Sequence, residues 1–267
     1  MQRSSNRALL IAGVMAAWLC SSASAAAPDP GVYASASHEF QQLAAQATRD
    51  TEMPRLTNPK AAELISILSD IRLLSSRTYQ ISDMGSLMDI CDQSNKAVMS
   101  YVLFDMKSVV NAKSDPQQAA ARLAPLIERN IRAFQGELGR LQPFLFRCLA
   151  QEVPLLTQFA RSLKPEDFTD VRRAGLKQAR DGIFNVYYGA LQAASDSAYT
   201  ESYRARVLQT LAEVTPQYAS VLQPQARKQL AALAASSEMK ASLLLRDDLQ
   251  KIVVGMSDPR CGDLCAL

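Results

Sequence analysis

The chain has 267 residues, of which 48% are hydrophobic and 21% charged, with 29 basic against 26 acidic side chains. So apolar a composition excludes a chain disordered throughout, and a formal charge of +3 gives no electrostatic case for nucleic acid, whose binders carry a strongly basic surface. One histidine and five cysteines leave little room for histidine-based catalysis or a zinc site of closely paired ligands.

The first stretch, "MQRSSNRALLIAGVMAAWLCSSASAAAPDP", has the grammar of a secretory signal peptide. Arg3 and Arg7 form a basic start, Ala8 to Leu19 an apolar run, and Ala23-Ser24-Ala25 a small-residue cleavage site. The run is shorter than the roughly 20 residues a spanning helix needs. Residues 1–25 are therefore expected to be removed, which takes two basic residues and leaves a near-neutral mature chain. Lipidation at Cys20 is disfavoured because bulky Leu19 and Trp18 precede it. The expected location is the periplasm or the exterior, without a transmembrane anchor in the mature chain.

Residues 26–37, rich in Ala, Ser and Pro, read as a flexible leader, and residues 38–267 as a single all-α domain with a soft division near 164. Helix formers dominate from Asn58 onward, and no alternating strand pattern appears. A short amphipathic piece over 38–49 precedes a first long helix opened by Thr57-Asn58-Pro59, whose stripe is Leu64, Ile67, Leu68, Ile71 and Leu74. The next helix is expected over 86–113. Met88, Cys91, Asn95, Met99, Val102, Met106 and Val109 recur at steps of three and four, which describes one buried helix face. Four methionines at 84, 88, 99 and 106 raise a copper reading, since thioethers select Cu(I); helical spacing favours core packing instead. Asn95 reads as a hydrogen-bonded core amide or as the polar floor of a pocket between helices.

Ser114-Asp115-Pro116 is a turn and a helix start together. The apolar stripe that follows, from Leu123 to Leu163, passes through Pro143 and Pro154. It describes either one kinked helix or two helices meeting at Gln142-Pro143. The kinked form is favoured because the stripe continues. Further helices are expected from 164 to 195, 200 to 222, 224 to 235 and 238 to 254.

After cleavage four cysteines remain, Cys91, Cys148, Cys261 and Cys265, and in an oxidising compartment they read as two disulfides. Their pairing depends on the helix model. With a tight hairpin at Ser114, Cys91 and Cys148 are offset by 11 residues, about 16 Å at 1.5 Å per residue. That is too far for a direct bond, whose Cα atoms must lie within about 7 Å. The kinked-helix model then predicts a tail pinned to the bundle. Reversal at Pro143 predicts Cys91–Cys148 and a small Cys261–Cys265 ring.

No catalytic motif is found: G-x-S-x-G, H-E-x-x-H, the P-loop and G-x-G-x-x-G are all missing. Ser237-Glu238-Met239-Lys240 matches S-x-x-K without its partner motifs, so Ser236 or Ser237 reads as a helix cap. His38 reads as a solvent-facing side chain. Arg172, Arg173, Lys177 and Arg180 form a basic strip, and Tyr187 and Tyr188 point in different directions on the same helix. Arg173, Lys177, Arg180, Tyr187, Tyr188 and Asn95 are the candidate binding groups. The expected function is a non-catalytic exported protein that binds a protein partner in the cell envelope, as an inhibitor, immunity factor, adaptor or chaperone. The alternative is a small-molecule or lipid binder with a pocket between helices. No cofactor or metal is expected.

Overall fold

The computed structural model describes residues 29–47, 52–109, 115–238, 241–258 and 263–266. The expected signal peptide and its cleavage site lie outside these residues, as do Cys20 and Cys261. The fold is an all-α bundle stapled by a disulfide. Among the described residues no helix is long and apolar enough to cross a membrane.

Helix α1, Pro30–Gln46, begins inside the stretch expected to be a leader. Asp29 caps it by accepting from the Gly31 amide, and Pro30 occupies the first turn, where its missing N–H costs nothing. Tyr33, Ala36 and Phe40 are buried against the bundle. The small-residue composition suggests a flexible segment, but one cap and two aromatic anchors make it a core helix. The same cap chemistry opens α2, Pro59–Leu68, where the Asn58 side chain accepts from the amides of Lys60 and Ala61.

A short α3, Arg72–Ser75, leads to α4, Met84–Val102. The buried face of α4 is Leu87, Ile90, Cys91, Ser94, Ala97, Val98, Tyr101 and Val102. This face is rotated from the expected stripe. Met88 is 47% exposed, and Met106, beyond the helix, is exposed as well. The small residues Ser94 and Ala97 let neighbouring helices approach closely, so the packed face runs through them rather than through the methionines.

Helix α5, Pro116–Ala133, and helix α6, Gln135–Ser162, are separated by a single non-helical residue, Phe134. The single kinked helix favoured by the stripe is thus corrected to two, and the alternative junction at Gln142-Pro143 is not used either: Pro143 and Pro154 both lie inside α6. Phe134 is instead held by a tertiary aromatic cluster, 5.1 Å from the Tyr101 ring and 6.0 Å from the Phe104 ring, with the Arg55 guanidinium 4.3 Å above it. Such ring pairs add to the stabilisation from apolar burial itself. Asn130 completes the joint by donating to the carbonyls of Val102 and Phe104 at the end of α4.

With the break at Phe134, α6 returns along α4 from its end, and the offset argument changes. Cys91 stands 11 residues before Val102, and Cys148 stands 13 residues after Gln135. The two sulfurs bond, with Cα atoms 5.5 Å apart. The pinned tail favoured by the kinked-helix model is therefore corrected. Cys265 is also disulfide-bonded, to a residue outside those described. The tail nevertheless packs on the bundle, for Leu264 and Cys265 are buried and their turn lies against α6, α7 and α8.

Helix α7, Asp170–Ser195, is capped by Thr169, which accepts from the Arg172 amide. It lies on α8, Glu201–Val221, and α8 in turn packs between α6 and α10, Leu243–Met256. Helix α9, Pro224–Glu238, closes the far side against α10. Buried tyrosines tie these layers together: Tyr218 donates to the Phe146 carbonyl, Tyr203 to Gln142 Oε1, and the Tyr187 hydroxyl meets Thr215 Oγ1 at 2.7 Å.

Candidate functional site

The helices α5 and α6 part at Phe134, and the space between them is bounded on its other sides by α4 and α7. A cleft of about 630 Å³ results. Each wall is apolar for a local reason, being the outer edge of that helix's buried stripe. Helix α4 supplies Val98 and Val102, α5 supplies Ile127 and Ile131, α6 supplies Leu145 and Phe146, and α7 supplies Val186 and Ala190. Gly189 lies on the same wall, and a Cβ built there would meet no atom within 4 Å. The cleft thus owes part of its width to a glycine in mid-helix, where alanine would give a more stable helix.

The polar groups at one end of the cleft come from α5, α6 and the turn that follows α7. Gln142 on α6 is 8% exposed; its amide oxygen accepts from Tyr203, and its amide nitrogen has no partner among the described residues. Tyr199, 6% exposed, lines the same cavity, and its hydroxyl is likewise unpartnered among them. Glu128 on α5 and Asp196, just after α7, complete this end. Glu128 pairs with Arg132 at 2.6 Å, whereas the Asp196 side chain accepts the Ala198 amide at 2.8 Å. Burial raises the Tyr199 phenol above its usual range, and the charges of Glu128 and Asp196 raise it further against the opposing effect of Arg132. No lysine or arginine lines the cleft among the described residues.

The residues singled out from the sequence are scattered. Asn95 lines the cleft, but as an exposed rim group and not as a buried amide or a floor; Gln142 fills the buried place. Met99 also lines it, whereas Met88 and Met106 do not. The basic strip divides. Arg173 stacks over Phe168 at 4.8 Å and Lys177 is exposed, but Arg180 is buried and reaches back to Asp181 at 3.1 Å. Tyr187 is buried and hydrogen-bonded to α8, and Tyr188 is half-buried and stacked on Phe184. Cys91 and Cys148 are structural, joining the α4 and α6 walls of the cleft. Ser236 and Ser237 bond back to the Leu233 carbonyl in the last turn of α9 and start no helix. The lysine of that S-x-x-K lies outside the described residues. His38 is exposed and shares a hydrogen bond with Gln42.

A second, shallower depression of about 390 Å³ lies on another face of α6, between Arg140, Arg147 and Arg206. Arg147 is already held by Glu213 at 2.5 Å. Among the described residues no group of three His, Cys, Asp or Glu side chains is gathered as a metal site.

In comparisons with known proteins, the chain matches no protein-family model, no curated protein and no solved structure. The site is therefore read from its own geometry.

Proposed function

We propose that this is an exported, non-catalytic binding protein that holds a small amphipathic molecule in the cleft between α4, α5, α6 and α7. The observation that carries the reading is the cleft itself: about 630 Å³ of apolar walls ending in a group of polar side chains. That volume falls in the usual range for small-molecule sites, roughly 300–1,000 Å³. Export is supported by the signal-peptide grammar of residues 1–25 and by a disulfide that fits an oxidising compartment.

Native mass spectrometry of protein taken from its exported location tests the reading. A retained small molecule, absent from a Gly189→Phe variant, is the expected result. A clean apo mass, together with no binding of any apolar probe, would remove it.

The protein-partner reading keeps one supporting observation. Val171 is 82% exposed at the start of α7, beside exposed Arg172, Arg173 and Lys177. Exposed apolar residues ringed by charge are common at interfaces. Specific capture of a partner that a Val171→Glu variant loses would favour that reading.

A further inference from the structure

The proposal below rests on the cleft as a binding site and concerns the charge of what it takes. The apolar walls carry no cation, so a carboxylate or phosphate entering the cleft would find no ion partner there. Its polar end is instead rich in acceptors. The Asp196 side chain accepts from the Ala198 amide and has no ion pair among the described residues. Glu128 shares its charge with Arg132. Arg132 itself sits 6.0 Å from the Tyr199 ring and stays outside the lining. On α4 the nearest cation, Lys96, is taken by Asp92 at 2.6 Å. The α6 and α7 walls contribute the amides Gln142, Asn185 and Gln192, which are neutral. Counting Glu128, Asp196 and Arg132, this end of the cleft holds a net negative charge.

Two observations independent of the carboxylates point to a ligand here. Gln142 and Tyr199 are both more than nine-tenths buried, both line the cavity, and each keeps an unfilled hydrogen-bonding position. The free atoms of both side chains reach the cleft, so a bound molecule can supply the partner that each lacks. An oxygen of the bound molecule would accept from the Gln142 amide. A cationic nitrogen at this end would meet the Tyr199 phenol oxygen and the Asp196 carboxylate, both of which line the cleft.

We propose that the cleft selects a cationic amphiphile, an ammonium-headed molecule whose apolar body lies between Ile127, Ile131, Phe146 and Val186 and whose charged head sits at Asp196 and Tyr199. The recognition is Coulombic at the head and hydrophobic along the body, so chain length sets affinity and head charge sets selectivity.

Three probes of equal chain length separate the parts: decyltrimethylammonium, decanol and decanoate, titrated below micelle formation into the full mature chain by isothermal calorimetry. The expected order is ammonium tightest, alcohol next and carboxylate weakest, with about tenfold between the first and last, equivalent to about 1.4 kcal/mol. Asp196→Asn retains the Oδ1 acceptor used by Ala198 and should bring the ammonium and alcohol affinities together; Glu128→Gln serves as a second variant. Gly189→Phe should abolish all three. If decanoate binds as tightly as the ammonium, and Gly189→Phe still blocks both, the charge selection is wrong and the cleft reading stands. If none binds, or if Gly189→Phe changes nothing, both fall.

Discussion

Gly189 and Gly255 both sit in long helices, and the space around them is opposite. At Gly189 an added Cβ would meet nothing within 4 Å. At Gly255, in the last turn of α10, it would come within 2.5 Å of Thr215 Cγ2 on α8. Thr215 has little freedom to yield, because its hydroxyl bonds the Leu211 carbonyl at 2.7 Å and the Tyr187 hydroxyl at the same distance. One glycine lets two helices touch; the other faces open space in the wall of the cleft. The C-terminal layers are packed to contact, whereas the α4–α7 region is packed around a space. An identical residue type therefore reports two different requirements, and only the surroundings say which.

That contrast can be broken most forcefully at its covalent link. Replacing Cys91 and Cys148 together by alanine should lower unfolding free energy by about 4 kcal/mol in the chain-entropy view of a long closed loop. Urea denaturation at equilibrium would measure it, and a change under 1 kcal/mol would mean that packing alone holds the α4 and α6 walls. Gly255→Ala should cost about 1–3 kcal/mol from overpacking against Thr215, despite the gain in helix propensity. A Gly255→Ala/Thr215→Ser double variant should recover part of that loss, since it removes the crowded methyl group.

Glu152 sharpens the comparison through pH. Burial lifts its carboxyl from 4.5 to about 7. Ionisation therefore costs the folded chain more than the unfolded one. Stability complete below pH 4.5 should fall as the pH rises through 7. Glu152→Gln escapes this loss, so it should exceed the parent by about 1–2 kcal/mol at pH 8 and match it near pH 4. Thermal melts at the two pH values would test it, and an equal difference at both would refute the assignment. The smallest effect belongs to Gly189→Ala, which should raise stability by up to about 1 kcal/mol because the helix gains and nothing is displaced. A loss there would mean that the cleft is closed in solution.

Much of the fold was readable locally. Asn58-Pro59 and Asp115-Pro116 announce their helices by caps, and both start where the side chains say. Asp29-Pro30 carries the same signal, yet the surrounding Ala and Ser residues drew it into a leader. The face of α4 was misplaced because Ser94 and Ala97 do not look apolar enough to define a stripe, although small size is what close packing there uses. The disulfide pairing turned on where the chain breaks. Phe134 breaks it through contacts with Tyr101 and Arg55, which are remote in sequence. The cleft was the least legible part. Asn95 pointed toward it, but Gln142, Asp196, Tyr199 and Gly189 belong together only after four helices have assembled.

The Cys91–Cys148 bond joins residues 57 apart and makes a covalent ring of everything between them, including the whole of α5. A protease that cuts once inside that ring, from 92 to 147, opens the circle without releasing a piece. The cut protein would run as one species on an unreduced gel and as two fragments after reduction. In an environment rich in proteases, such a nick would not by itself detach the α4 and α6 walls from one another.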